Sequence, residues 1–317
     1  MVLVSAASAS LTGNVVDDVR QLFVYPFMVN AFRAGTIVAV LAGVIGWFMV
    51  LRKQSFAGHT LAVVGFPGAA GATLLGISAL YGYFAFCVAA AIGIALLPSA
   101  RGRGFSEENA ITGTISAFFL ACGFLFISLY KGFLEGVNSL LFGSFLGITN
   151  QQVVVLAVVA AVAVAAMALI GRPLLFASID GDVAQARGVP VRSLGVAFLI
   201  LLGLAAAEAS QITGSLLVFA LLVMPAATAQ RITTRPMYSL IATVVIGALV
   251  TWLGLAAAYY SPYPIGFWVT TFAFAAYVVT HVVSYLAPRG LVPRRASLAP
   301  SRGASGSESG LPTGVEQ

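Results

Sequence analysis

Long apolar runs alternate with short polar or Gly/Pro-containing breaks along almost the whole chain. They can be drawn at 27–51, 57–80, 82–99, 109–130, 152–171, 194–210, 212–230, 237–260 and 264–287. Most are near the roughly 20 residues that an α-helix needs to cross about 30 Å of hydrocarbon. Backbone amides inside lipid must be satisfied within the segment, so runs of this kind are helices. The pattern therefore predicts an all-α polytopic membrane protein with about nine transmembrane helices. The segment 135–149 is apolar but too short to cross and reads as an interfacial or re-entrant helix. The first run begins too far from the N-terminus, and too many follow it, for a cleaved secretory signal to explain them.

Composition supports this reading. Hydrophobic residues make up 60% of the chain, charged residues only 8%, and the mean hydropathy is +1.01. Such a sequence cannot cover a water-facing surface. The net charge of +6 could point to nucleic acid, but the basic residues stand singly or in pairs between apolar runs, so no nucleic-acid partner is expected. Their placement speaks instead to topology. Arg52, Lys53, Arg101, Arg103, Arg172, Arg187, Arg192, Arg231, Arg235, Arg289, Arg294 and Arg295 collect on one side of the spans, against Arg20, Lys131 and the snorkelling Arg33. The excess marks the cytoplasm, which puts the N-terminus outside and the C-terminus inside. Residues 1–26 are then a flexible extracellular segment, 27–288 the transmembrane domain and 289–317 a cytoplasmic tail. From 296 onward the tail is Ser-, Gly- and Pro-rich, a composition that stays disordered.

The chain has no phosphate-binding G-x-x-x-x-G-K-[ST] loop and only two lysines, Lys53 and Lys131. Energy for active transport would have to come from another subunit. The longest cytoplasmic insertion, 172–192, holds Asp180-Gly181-Asp182-Val183-Ala184-Gln185-Ala186-Arg187-Gly188. Acidic at its start, basic and glycine-terminated at its end, this stretch is capped as a short helix. It is either a docking element for a partner or a plain connection. Small residues in Gly65-Phe66-Pro67-Gly68-Ala69-Ala70-Gly71-Ala72 predict close helix packing. Pro67 and Pro225 predict kinked or interrupted helices.

Four stretches resemble the ABC permease family that imports zinc and manganese. Leu51-Arg52-Lys53-Gln54-Ser55-Phe56-Ala57-Gly58-His59-Thr60-Leu61-Ala62 is similar to the family segment "LRR-x-S-x-x-G-D-x-L-(S/A)-H". Leu141-Phe142-Gly143 matches its "LFG" element. Asp182, Ala184 and Gly188 fall at, or one residue from, its "D-x-x-x-A-x-x-x-G" pattern, which in the family forms the coupling helix that contacts the ATPase. The most specific match is Gly214-Ser215-Leu216-Leu217 followed by Pro225-Ala226-Ala227-Thr228-Ala229, like the family's "VG-x-L-L…P-A-A-T-A". The resemblance implies a homodimeric permease in the bacterial cytoplasmic membrane. It also implies a separate ATP-binding subunit, an extracellular or periplasmic binding protein and a divalent metal as cargo. No cofactor is expected on this chain, ATP being used by the partner. One departure bears on substrate choice: the family's Asp, with His one turn later, is here His59 followed by Val63.

Three ionisable residues in or near spans are candidates for the substrate path, because such groups are costly in lipid. His59 occupies the family's ion-path position. His281 has no motif around it and is either a path residue or a packing histidine. Glu208 lies between two apolar runs, either within the bilayer or, if the sixth span ends at Ala207, in an extracellular turn. His59 and Glu208 are the candidate metal ligands; a carboxylate and a neutral imidazole together suit several divalent metals. Competing readings are an importer of a metal chelate or small organic solute, and an ion-coupled secondary transporter in which Glu208 is the coupling carboxylate.

Overall fold

The computed structural model describes residues 20–96, 105–130, 140–143, 147–215 and 218–286. The tail 289–317, most of the extracellular segment 1–26 and much of 135–149 lie outside the described residues. Within them the regular structure is helical, with no strand. The main elements are α1 Pro26–Leu51, α2 Ser55–Leu74, α3 Ala79–Leu96, α4 Phe105–Leu129, α5 Asn150–Ile179, α6 Gly181–Ala186, α7 Val191–Thr213, α8 Val218–Ile232, α9 Pro236–Tyr259 and α10 Ile265–Leu286.

Every run read from the sequence overlaps one of these helices, but they are not equivalent. Seven of the described helices are long and apolar enough to cross a membrane: α1, α3, α4, α5, α7, α9 and α10. In α2, Gly58, His59, Gly65, Pro67, Gly68 and Gly71 dilute the hydropathy of a helix that is otherwise 20 residues long. α8 has only 15 residues, about 22 Å at 1.5 Å per residue, too short to cross alone. Gly214 and Ser215, which follow α7, are not helical. The break between the sixth and seventh runs thus falls at Gly214 rather than near Gln211, because α7 continues to Thr213.

Burial separates inner from outer helices. α1 and α7 bury two-thirds of their apolar windows, the other five a third or less. α2 packs on α3 and α4; α8, α9 and α10 pack on one another; α1 and α7 lie between the two groups, with α5 against both. The outer helices carry exposed apolar stripes at helical spacing, such as Val154, Val158 and Val162 on α5 and Ile241, Val245 and Leu249 on α9. In water such stripes would be a liability; against lipid they are the expected surface.

The local signals are visible in the helix ends. Thr149 and Gln152 close a capping box at the start of α5, with Gln152 N donating to Thr149 Oγ1 at 3.2 Å and Thr149 N to Gln152 Oε1 at 2.9 Å. The small-residue run of α2 brings backbones together: a Cβ on Gly68 would collide with the Gly82 carbonyl of α3. Pro67 and Pro225 both sit inside continuous helices, α2 and α8. The interruption predicted at Pro225 comes instead at Gly214, whose φ of +77° and ψ of 151° lie in a region that side chains with a Cβ avoid. There Ser215 N donates to the Leu140 carbonyl at 3.2 Å, and Tyr83 Oη donates to the same oxygen at 2.9 Å. Two stretches about 70 residues apart in sequence, Leu140–Gly143 and Thr213–Ser215, cross here with their backbones in direct contact.

Candidate translocation site

α7 is the helix around which the site is built. Its segment Ala205–Ser210 is wholly buried, and Glu208 is 0% exposed. The turn reading of Glu208 is therefore set aside: the helix runs five residues past it to Thr213. At 100° per residue Glu208 shares a face with Leu201, Leu204 and Ile212. The Gly203, Ala207 and Ser210 face packs on α2 and α3. Both Glu208 carboxylate oxygens are buried without a hydrogen-bond partner among the described residues. A charge taken out of water without a partner costs several kcal/mol, roughly, so a carboxyl kept there is poised for a proton, a cation or water.

His59 lies in the first turns of α2, half-buried, with its ring edge-on to Phe219 of α8 at 5.3 Å and near Phe56 at 6.3 Å. Immediately after it, Thr60 is fully buried in a hydroxyl chain that joins α2 to α4: Ser116 Oγ donates to Thr60 Oγ1 at 2.8 Å, with the Thr112 carbonyl as its alternative acceptor at 3.1 Å. Neither Ser116 nor Phe219 carries a sequence signal of its own, because cross-helix pairs leave no trace in local periodicity.

The structure sets His59 and Glu208 at different depths. Gly65 of α2 lies against Ser210, and Ala69 clusters with Ala207, so α7 meets α2 at those levels beside Glu208. His59 precedes Gly65 by six residues and Ala69 by ten, about 9–15 Å along the helix axis. Val63, buried, is one turn nearer the carboxylate. His281 stands on the exposed face of α10 beside Tyr277, at 6.0 Å between rings. Among the described residues no three of His, Cys, Asp and Glu gather in one place. The arrangement offers ligands in series rather than a cage.

The insertion 172–192 is in part a continuation of α5, which runs on through Arg172 and Pro173 to Ile179. What projects is α6. Asp180 caps it, accepting from Val183 N at 3.0 Å. Its end is a Schellman motif: Val189 N donates to the Ala184 carbonyl and Gly188 N to the Gln185 carbonyl, both at 3.0 Å, with Gly188 at φ +81°. Ala184 is fully buried and fixes α6 to its surroundings, while Asp182, Val183 and Arg187 are exposed on the outward side.

Comparison with known proteins agrees with this architecture. The model of the "ABC 3 transport family" matches residues 24–284. The chain is 31% identical over 238 residues to the manganese transport system membrane protein MntC of Listeria monocytogenes, covering 75% of this chain and 84% of that protein. To the chelated iron transport system membrane protein YfeC of Yersinia pestis it is 32% identical over 240 residues, 76% of this chain and 80% of the relative. Among solved structures, PsaBC from Streptococcus pneumoniae in complex with Fab superposes with a TM-score of 0.75 at 26% identity, over 84% of this chain and 95% of that one. The chain belongs to the ABC 3 transport family and is a multi-pass permease of the bacterial inner membrane.

Proposed function

We propose that this permease carries a divalent transition-metal ion, manganese foremost, into the cytoplasm. It works as a homodimer with its N-terminus outside, receives cargo from an extracellular or periplasmic binding protein, and is driven by a separate cytoplasmic ATPase that docks on α6. It holds no cofactor; ATP belongs to the partner. The observation that carries the reading is Glu208: a wholly buried carboxylate with both oxygens unpartnered among the described residues, on α7, one of the two inner helices. Carboxylate oxygen suits manganese, and an imidazole further along the path suits several first-row metals. The names of the relatives, manganese and chelated iron transport proteins, support a metal cargo.

The test is accumulation of manganese by cells that lack their own importers and express this chain with its ATPase and binding protein. Uptake should appear only with all three, and uptake independent of the ATPase would sink the reading. A chelate importer is the second reading, favoured by the buried Val63 where the resemblance places histidine. It predicts that chelated iron competes with manganese in the same assay.

Two substitutions probe the parts. Gly188→Trp forces a side chain into a left-handed backbone position and displaces the exposed face of α6. ATP hydrolysis should continue while uptake falls about tenfold or more, with the permease still in the membrane; parental uptake would show that α6 does not couple. His59→Ala should slow manganese uptake about fivefold, equivalent to roughly 1 kcal/mol, at unchanged expression. His59→Asp combined with Val63→His sets a carboxylate and an imidazole one turn apart and should raise zinc uptake relative to manganese. If both variants move the same ions at the parental rate, His59 is a packing residue.

A further inference from the structure

The junction between α1 and α2 holds a cation that the function above does not use. Arg52 is the C-cap of α1, and its guanidinium reaches across to the two helices that flank α6. Nη1 donates to Ser178 Oγ at 3.2 Å, in the last turn of α5 and two residues before Asp180, the cap of α6. The guanidinium lies over the ring of Phe198 in α7 at 5.4 Å, and a Cβ built on Gly195, one turn earlier, would stand 3.7 Å from Nη2. Nε donates to Gln54 Oε1 at 3.2 Å, which ties the same group to the start of α2. Ser178 Oγ is itself anchored, donating to the Leu174 carbonyl at 2.5 Å.

These partners define a charge held by dipoles and an aromatic face. Arg52 stands at the C-terminal end of α1 and reaches the C-terminal turn of α5, the end of a helix whose dipole favours a cation. Phe198, fully buried, supplies a cation–π surface in a partly desolvated setting. Lysine would match the charge but neither the fork nor the planar stacking. α6 is thus joined through α5 and α7 to the Arg52 guanidinium, and Arg52 is joined to the start of α2 by the two-residue link of Lys53 and Gln54 and the side-chain bond to Gln54, five residues before His59.

We propose that Arg52 is a positioning residue that transmits displacement of α6 to α2, so that movement at the coupling helix is felt on the His59 side of the path. This rests on the docking of the ATPase on α6. The experiment measures manganese ions moved per ATP hydrolysed, normalised to assembled complex, in vesicles holding the permease, its ATPase and binding protein. Arg52→Ala should keep ATP hydrolysis and lower ions per ATP about tenfold, the range of ordinary coupling between sites; Arg52→Lys should recover only part of the loss. Ser178→Ala removes one acceptor without touching the charge and should lower the ratio about threefold; it decides the matter should Arg52→Ala assemble poorly. A parental ratio in Ser178→Ala, or in an assembled Arg52→Ala complex, overturns the proposal. Gly188→Trp separates the two levels: if it uncouples while the Arg52 and Ser178 variants do not, docking on α6 stands and the linkage through Arg52 is wrong. If Gly188→Trp also keeps the parental ratio, the docking itself fails.

Discussion

Glu208→Gln is expected to cut manganese uptake about a hundredfold, a loss worth roughly 2.7 kcal/mol in the passage of the ion. The amide has nearly the same volume as the acid, so the packing of the buried segment of α7 that holds Ala205, Ala209 and Ile212 is kept. What disappears is the negative charge that a divalent cation must meet once it leaves water. Stability should hold or rise slightly, because the wild-type carboxyl has no partner among the described residues to lose. Metal uptake into intact cells, together with the amount of folded permease extracted in detergent, gives both quantities. Parental uptake by a folded Glu208→Gln protein would show that the carboxylate is not on the path.

The second large effect concerns folding. Gly214→Val should leave almost no folded protein. The residue adopts φ +77°, and any Cβ there would strike the Leu141 carbonyl and the backbone nitrogen of Gly143. Gly143 is itself at φ +81°, so neither segment of the crossing can yield without opening the other. Strain of about 1–3 kcal/mol from the backbone adds to loss of the Ser215–Leu140 hydrogen bond, which is bridged by Tyr83 through the shared carbonyl. Gly93→Val is the control, since nothing lies within 4 Å of a Cβ at that position. Folded yield measured by gel filtration in detergent should collapse for the first and stay near parental for the second. Equal yields would mean that the crossing is not a fixed point of the fold.

Much of this architecture is legible in the chain because hydrophobic runs report directly on lipid. Nine runs overlap nine helices, and the Asp180-to-Gly188 stretch forms a capped helix as its end residues indicate. The boundaries that sequence misplaces have identifiable causes. α5 continues past Arg172 and Pro173 because a basic side chain can sit on the exposed side of a helix end, and proline removes one hydrogen bond without forcing a stop. α7 continues past Glu208 because a single carboxylate does not interrupt a helix whose other residues, Ala205, Ala206, Ala207 and Ala209, favour it.

The site is less legible. Histidines and a lone glutamate can be picked out as costly in lipid, but their relative depth depends on which residues of α2 and α7 meet. That is fixed by Gly65 against Ser210 and Ala69 with Ala207, contacts between small residues that no period announces. The Arg52 junction is hidden for the same reason. The arginine reads as a positive-inside marker and as part of the family-like Leu51-Arg52-Lys53 stretch, neither of which names a partner, and its Ser178 and Phe198 partners lie more than 120 positions away.

The most direct test of the account is manganese uptake into proteoliposomes containing the purified permease and its ATPase, with the binding protein outside and ATP enclosed. In this geometry the vesicle exterior corresponds to the cell exterior. The account predicts accumulation that requires ATP and the binding protein, persists when proton and sodium gradients are collapsed, and is lost with Glu208→Gln. Uptake that follows an imposed ion gradient in vesicles holding the permease alone, without ATP, would contradict it.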